Sequence, residues 1–245
     1  MTLSDSRFLR ACWRQPADAT PVWFMRQAGR YMPEYRAIRE RVSMLDAIRT
    51  PEIAHQITLQ PVSAFHLDAA ILFSDILIPL IPMGLALDFV EGEGPQIDAL
   101  IRSRADVEKL QTPPAAESMP FIGEAVRRIT ADLTTRYIPL IGFGGAPFTL
   151  ASYAIEGGGS RNYERTKSLM WNAPDIWRLL MDKLVAVLSD YLALQIRSGA
   201  AAVQIFDSWA GALSPRDYAV YVAPYTAQLI RDVQQHGVPV IYFST

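Results

Sequence analysis

The stretch Arg136-Tyr-Ile-Pro-Leu-Ile-Gly-Phe-Gly-Gly145 is an apolar run that ends in glycines, and Ala146-Pro-Phe-Thr-Leu-Ala-Ser-Tyr-Ala-Ile-Glu156 follows it directly. The first run has the length and composition of a strand buried on both faces. The second run predicts a helix that stops at the glycines 157–159. Together they predict a buried strand that is followed at once by a helix.

The same alternation of apolar runs and helical segments extends in both directions from this unit. Further strands are predicted at about 21–25, within 68–77, at 201–206 and at 238–243, and a hairpin is predicted over 83–98 with its turn at 92–95. Helices are predicted at 43–65, 106–110, 118–134, 161–171, 174–198 and from 214 to 236. Short strands that alternate with helices indicate parallel βαβ units, which build doubly wound sheets and (β/α)8 barrels.

Two observations favour the barrel. Polar residues follow predicted strands at Arg26, Asp75 and Ser208, as expected where functional groups ring the carboxyl ends of barrel strands. The glycines of 142–146 match neither phosphate-binding glycine pattern of the doubly wound folds. The predicted fold is therefore an α/β (β/α)8 TIM barrel, truncated after about five of its eight strand-helix units. Residues 1–245 are expected to form a single catalytic domain whose C-terminal part is missing, the alternative being a complete five-stranded open sheet.

The composition is that of an ordinary globular protein. The net charge is −2 and charged residues make up 20% of the chain, so no overall basic field for nucleic acid exists. Cys12 is the one cysteine, which excludes an internal disulfide and a multi-cysteine metal centre. No signal-peptide core and no window of about 20 apolar residues is present, so we expect a cytoplasmic protein that does not bind membranes.

The stretch Pro21-Val-Trp-Phe-Met-Arg-Gln-Ala-Gly-Arg-Tyr-Met-Pro-Glu-Tyr-Arg36 carries the densest group of arginines beside an apolar run. A basic stripe on a solvated loop is the simplest interpretation of such a group. Here tryptophan, phenylalanine, methionine and tyrosine side chains alternate with the charges. This mixture indicates a pocket for a large, flat polyanion.

The stretch 21–36 and the segment 142–160 resemble the two signatures of the uroporphyrinogen decarboxylase family, and 67–77 and 204–211 are similar to that family as well. The resemblance implies a (β/α)8 barrel, a homodimer when full length, and neither a metal nor an organic cofactor. It also implies a tetrapyrrole substrate, uroporphyrinogen III, whose four acetate side chains are decarboxylated to methyl groups to give coproporphyrinogen III. His55, His66 and His236 lie in none of the family's motifs and are assigned no role.

The resemblance also implies site residues. Guanidinium groups hold carboxylates with two parallel hydrogen bonds, which suits Arg26 and Arg30 for substrate binding and for a part in catalysis. Asp75 can accept hydrogen bonds from pyrrole N–H groups and stabilise a ring cation. The alternative interpretation of Asp75 is an aspartate that caps the next helix. The segment between the arginines, Gln27, Ala28 and Gly29, is expected to contact substrate with them.

Two further residues complete the predicted site. Tyr153 lies in the second signature and is expected to orient Asp75 or to donate to a substrate carboxylate, although a tyrosine in an apolar helix is more often part of the core. Ser208 is expected to donate to a propionate or an acetate, although a serine after a strand is commonly a cap.

The sequence is also compatible with two alternative functions. One is a zinc-dependent methyltransferase on the same barrel, which uses a corrinoid or thiol substrate and requires histidine and cysteine ligands. The other is an inactive fragment that binds porphyrin without turnover.

Overall fold

A computed structural model describes residues 2–90, 94–98 and 100–245. Its helices are α1 (Arg7–Cys12), α2 (Pro33–Arg39), α3 (Met44–Arg49), α4 (Pro51–Ala64), α5 (Arg104–Lys109), α6 (Ala115–Ser118), α7 (Pro120–Thr134), α8 (Pro147–Glu156), α9 (Glu164–Asn172), α10 (Pro174–Arg197), α11 (Pro215–Asp217) and α12 (Ala223–Gln234). Its strands are β1 (Ala70–Ile71), β2 (Leu87–Val90), β3 (Gly94–Ile97), β4 (Leu140–Gly145), β5 (Ala202–Asp207) and β6 (Val240–Ser244).

The main sheet is parallel, and its strands lie side by side in the order β1-β4-β5-β6. This spatial order is also the order along the chain. A doubly wound sheet reverses its strand order at a switch point, whereas a barrel adds each strand beside the previous one. The uninterrupted order therefore confirms the predicted barrel architecture and speaks against the doubly wound alternative.

The helices between the strands pack against the sheet and form the core with it. α4 contacts β1, α7 contacts β4, α10 lies across β4 and β5, and α12 contacts β6. All residues of β4 and β5 are buried, which explains why both strands are continuous apolar runs in the sequence. The largest buried side chains of α10 are Trp177 and Tyr191.

β1 pairs with β4 over only two positions, Ala70 with Leu140 and Ile71 with Ile141. The next residue of β4 that faces this side is Phe143, and β1 does not reach it. The side chain of Gln195 on α10 replaces the missing strand. Its Oε1 accepts from the backbone N–H of Phe143 at 2.8 Å, and its Nε2 donates to the carbonyl of Phe143 at 2.9 Å.

Gly142 makes room for this contact. A Cβ atom at Gly142 would lie 2.6 Å from Gln195 Oε1, which is closer than carbon and oxygen can approach. The glycines of 142–145 therefore serve the close packing of β4, in agreement with the absence of a phosphate-binding pattern.

Two strand predictions at the N-terminal side of the sheet need correction. The predicted strand at 21–25 is a loop. Its one backbone–backbone hydrogen bond to the segment before β1 joins the carbonyl of Val22 to the backbone N of Asp68, at 2.9 Å. The predicted strand within 68–77 is only the two-residue β1. Asp75 therefore lies beyond the end of the strand, in the turn that precedes a short 3-10 helix at Ile78–Leu80.

Several helix predictions also differ from the structure. The segment 43–65 contains two helices, α3 and α4, with Thr50 between them, and α4 continues past Pro61 to Ala64. The helix predicted from 214 to 236 is interrupted by a π-helical segment at Tyr218–Val222. α2 was not predicted.

The predicted hairpin is confirmed by the antiparallel pairing of β2 with β3, whereas residues 91–93 of its turn lie outside the described residues. The hairpin is attached to the end of α8, since the backbone N of Ile97 donates to the carbonyl of Gly157 at 2.9 Å. Gly157 has φ of 92°, a left-handed conformation that ends α8 and favours glycine.

We expect Gln195→Met to destabilise the protein by about 2–4 kcal/mol, because it leaves the N–H and C=O groups of Phe143 buried without partners. Methionine keeps the side-chain volume, so loss of packing contributes little. The free energy of unfolding in urea measures the effect. Gln228→Met on the exposed face of α12 is the matched control and should change stability by less than about 0.5 kcal/mol. Equal effects of the two substitutions would contradict this role of Gln195.

Candidate active site

Three of the predicted site residues lie at the carboxyl edge of the parallel sheet. Asp75 follows β1, Tyr153 lies on α8 directly after β4, and Ser208 follows β5. Because parallel strands end at the same edge, these three segments meet there. The loop that carries Arg26 is bonded to Asp68 and Ala69 at the start of β1, and the charge of Arg26 acts to lower the pKa of both Asp75 and Tyr153.

The loop at residues 21–32 carries Arg26 and Arg30, and we call it the arginine loop. Asp68, just before β1, holds the start of this loop. Its Oδ2 accepts from the backbone N of Val22 at 2.7 Å, and its backbone N donates to the carbonyl of Val22 at 2.9 Å. Arg7 on α1 donates to the other carboxylate oxygen of Asp68 at 2.9 Å and also forms a salt bridge with Asp18. The loop is therefore fixed to the sheet and to α1 at its first residues.

Gln27 holds the middle of the loop. Its side chain is buried, donates to the carbonyl of Ala69 at 3.3 Å and accepts from the backbone N of Phe24 at 3.2 Å. The hydroxyl of Tyr31 donates to the carbonyl of Gln27. These bonds occupy the amide of Gln27 within the fold and leave the adjacent Arg26 exposed.

Asp75 is the one carboxylic acid among the predicted site residues, and its surroundings shift its pKa. Its Oδ1 accepts from the backbone N of Leu77 at 2.9 Å, a bond within the turn that follows β1. Part of the side chain is exposed, yet densely packed protein surrounds the carboxyl group. Burial raises the pKa of Asp75 to about 6, whereas the N–H of Leu77 and the charge of Arg26 act to lower it. Asp75 can therefore exchange a proton near neutral pH.

Two hydroxyl groups lie close to Asp75. Those of Ser74 and Tyr191 are buried and form no hydrogen bond with the described residues. Burial raises the pKa of the Tyr191 hydroxyl, the nearby hydroxyl of Ser74 acts to lower it, and the charge of Asp75 acts to raise it. Sequence reasoning did not identify Tyr191, because it lies on α10 far along the chain from Asp75.

Tyr153 is held by aromatic stacking. Its ring lies on that of Trp209, with the ring centres 3.9 Å apart and the planes inclined by 29°. Tyr163 contacts Trp209 as well, at 4.9 Å between ring centres. Burial, with the charge of Asp75 as the next cause, raises the pKa of Tyr153 to about 12. Tyr153 is therefore protonated at neutral pH and can act as a hydrogen-bond donor.

The other predicted residues occupy different surroundings. Arg30 is exposed, and its carbonyl accepts from Arg36 at 2.7 Å. Ala28 packs against the small apolar cluster that includes Met32 and Tyr35. Gly29 is partly exposed. Among the described residues, no hydrogen bond or ion pair joins this segment to Asp75, so the part of Arg30, Ala28 and Gly29 in a site stays a prediction.

Ser208 follows a buried carboxylate. The carbonyl of Ser208 accepts from the hydroxyl of Thr245, just after β6, at 3.0 Å. The preceding residue, Asp207, is fully buried and accepts from Thr149 at 2.8 Å and from Tyr242 at 2.7 Å. The sequence placed Asp207 at the end of a strand, but it carried no signal that distinguished a functional group from a cap.

The uroporphyrinogen decarboxylase (URO-D) family model matches residues 3–245. The chain belongs to this family. A protein named uroporphyrinogen decarboxylase from Roseiflexus sp. strain RS-1 is 57% identical over 98% of this chain and 70% of its own length. Proteins of the same name from Chloroflexus aurantiacus and Geobacter sulfurreducens are 54% and 51% identical, again over 98% of this chain and over 68% and 69% of their own lengths.

A solved structure, a methyltransferase from Methanosarcina mazei, has the same fold. It superposes with a TM-score of 0.81 over 100% of this chain and 70% of its own chain, at 18% sequence identity. At this identity the similarity concerns the fold alone. The barrel architecture is thus common to the URO-D family and to a protein named for a different reaction.

The part of the chain that the structure describes contains no group of three or more histidine, cysteine, aspartate or glutamate side chains that could hold a metal ion. Cys12 is partly buried, and burial raises the pKa of its thiol. Among the described helices, none is long and apolar enough to cross a membrane.

We expect Asp75→Asn to stabilise the protein at pH 7 and to have little effect at pH 4. The pKa of about 6 in the folded protein exceeds the ordinary value of 3.8. Between these values the folded protein retains a proton that the unfolded chain has released, so wild-type stability falls as pH rises through this window. Asparagine cannot ionise and still accepts from Leu77, so it should gain about 1–3 kcal/mol at neutral pH.

Urea unfolding at a series of pH values between 4 and 7 measures this difference. A stability difference that is the same at every pH would contradict a raised pKa for Asp75.

Proposed function

We propose that this protein decarboxylates the four acetate side chains of uroporphyrinogen III to methyl groups, which gives coproporphyrinogen III in tetrapyrrole biosynthesis, without a cofactor. Family membership and the names of the relatives support this function. The structural observation that carries it is the position of Asp75, whose carboxyl group follows β1 at the carboxyl edge of the sheet, where the charge of Arg26 acts on it.

The reaction needs a place for the electrons of the carbon–carbon bond that breaks. Protonation of the pyrrole at a ring carbon gives a cation that accepts this electron pair as CO2 leaves. The exocyclic methylene that results takes up a proton and the ring carbon releases one. The sum converts each carboxylate and one proton into a methyl hydrogen and CO2. A site for this reaction must bind many carboxylates, stabilise a cation and deliver protons.

We assign carboxylate binding to Arg26 and Arg30, with Gln27, Ala28 and Gly29 contributing the segment between them. The exposed guanidinium of Arg26 supports this assignment, because it is available to a ligand and already acts on Asp75. Gln27 acts indirectly, since its amide is used to hold the loop.

We assign stabilisation of the ring cation to the ionised form of Asp75. At about 4 Å and an effective dielectric constant of about 20, the attraction between a carboxylate and a cation amounts to about 4 kcal/mol. If this attraction exists only in the transition state, it corresponds to about three orders of magnitude in rate.

Tyr153 and Ser208 complete the proposed site as hydrogen-bond donors to the substrate carboxylates or to Asp75. The raised pKa of Tyr153 supports this role, because it keeps the phenol protonated beside Asp75 at neutral pH. Ser208 follows β5 at the same edge of the sheet.

We also propose that the protein acts in the cytoplasm and forms a homodimer, as its family resemblance implies. The lone cysteine fits a reducing compartment, because the fold needs no disulfide. Light scattering of the purified protein tests the dimer, and a monomer at all concentrations would contradict it.

We expect Asp75→Asn to lower kcat by about 100–1,000-fold and to change KM only slightly, because the charge is lost and the shape is kept. Anaerobic assays of uroporphyrinogen consumption, without added cofactor, measure both constants. Full activity of this variant would contradict the role of Asp75. Stoichiometric zinc in the active protein would contradict the assigned reaction and favour the methyltransferase alternative.

We expect Arg26→Lys to raise KM by about tenfold, because lysine cannot hold a carboxylate with two parallel hydrogen bonds. The matched control is Arg41→Lys, since Arg41 is exposed and follows α2 outside the proposed site. Equal KM values for the two variants would contradict carboxylate binding by Arg26.

A further inference from the structure

A continuous set of contacts joins the buried carboxyl group of Asp207 to Tyr153. Thr149 Oγ1 donates to Asp207 at 2.8 Å and accepts from the backbone N of Trp209 at 3.4 Å. The ring of Trp209 stacks on that of Tyr153, with 3.9 Å between ring centres. We call Asp207, Thr149 and Trp209 the support group of Tyr153.

Each hydrogen bond of this network donates to Asp207 or to a hydroxyl group that leads to it. Both hydroxyls that contact the Asp207 carboxyl group donate to it. Thr149 thereby uses its single proton and is free to accept from Trp209. Tyr242 donates to Asp207 at 2.7 Å, so in the pair formed with Tyr218 at 2.9 Å the hydroxyl of Tyr218 donates. One arrangement of protons satisfies every group, which fixes their orientation.

Burial of the Asp207 carboxyl group is unfavourable, so stabilisation of the fold alone does not explain this network. Asp207 is fully buried, and no salt bridge to it forms among the described residues. Burial raises its pKa, and the hydroxyls of Tyr242 and Thr149 lower it. A buried carboxylate without a cation destabilises a fold unless its hydrogen bonds compensate, and an apolar side chain would pack there more favourably.

The segment after β5 explains what the network achieves. Trp209 lies in the turn between the end of β5 and a short 3-10 helix at Ala210–Ala212. Its carbonyl accepts from the backbone N of Ala212 at 3.0 Å, and its backbone N–H is bound by Thr149. The bond from its backbone N to Thr149 ties this turn to the start of α8. The same helix carries Tyr153. The two stacked rings are therefore held by one helix.

We propose that Asp207 and Thr149 are positioning residues, which hold the Trp209 ring and through it set the orientation of Tyr153. The effect on catalysis rests on the proposed function, in which Tyr153 donates to substrate or to Asp75. The positioning itself is a property of the fold and can be measured without substrate.

The first experiment uses protein labelled with 5-fluorotryptophan, in which the 19F resonance of Trp209 is assigned from the spectrum of Trp209→Phe. Thr149→Val removes the hydroxyl and should shift the Trp209 resonance, as Tyr153→Phe does by changing the stacked ring. Thr149→Ser keeps the hydroxyl and should restore the wild-type position. Thr226→Val is the matched control, since Thr226 on α12 is also buried and its hydroxyl makes no bond with the described residues.

An unchanged Trp209 resonance in folded Thr149→Val overturns the proposal. The same conclusion follows if Thr149→Ser and Thr149→Val shift it equally. Thermal unfolding of each variant shows that it is folded, and the serine variant keeps the test decisive if the valine variant is not.

The second experiment is a kinetic double-mutant cycle. Thr149→Val should lower kcat/KM by about 10–100-fold in the wild-type background, mainly through kcat, because small displacements of a catalytic group have effects of this size. In the Tyr153→Phe background the same substitution should cost less than about threefold, since the hydroxyl that it positions is gone. Equal losses in both backgrounds overturn the link to Tyr153.

The two experiments separate the inference from the function on which it rests. A wild-type protein that does not consume uroporphyrinogen overturns the proposed function, and the 19F spectra still decide whether Thr149 positions Trp209. An active wild type with an unshifted Trp209 resonance in Thr149→Val overturns only the positioning role.

Discussion

The side chain of Gln195 binds backbone groups of β4, so that the segment carrying Asp75 does not have to pair with this strand. A parallel strand whose neighbour departs leaves buried N–H and C=O groups, and each unpaired group destabilises the fold by about 1–3 kcal/mol. Gln195 satisfies both groups of Phe143, so β1 can end after Ile71. The chain then turns, and Asp75 stands at the edge of the sheet instead of being paired within it.

Two carboxyl groups at this edge illustrate how surroundings divide the work of similar side chains. Asp75 has one backbone donor and a nearby arginine, and burial raises its pKa to about 6. Asp207 accepts from two hydroxyl groups and is fully enclosed. Asp75 is therefore suited to exchange a proton with a ligand, and Asp207 is suited to hold neighbouring side chains in place. Thr149 connects Asp207 to the stacked rings of Trp209 and Tyr153.

The sequence predicted the elements whose signals are local. β4, β5, α8 and α10 are long apolar or amphipathic runs with clear ends, and the structure places them within a few residues of the prediction. The predicted strand at 21–25 has the same composition but forms a loop, because the side chains of Asp68 and Gln27 bind the backbone N–H groups of Val22 and Phe24. The length of β1 depends on Gln195, which is remote in sequence. For the same reason, neither the role of Asp207 nor the position of Tyr191 near Asp75 could be predicted.

The arginine loop is attached through backbone atoms and through Gln27 and Asp68, whereas the guanidinium groups of Arg26 and Arg30 take no part in that attachment. Its exposed side chains can therefore be exchanged during evolution without loss of the fold. The solved methyltransferase, with the same architecture at 18% identity, is an example of how far sequences diverge on this frame. A new substrate would require new side chains on a loop that is already held in place, which makes the barrel a versatile starting point for new specificities.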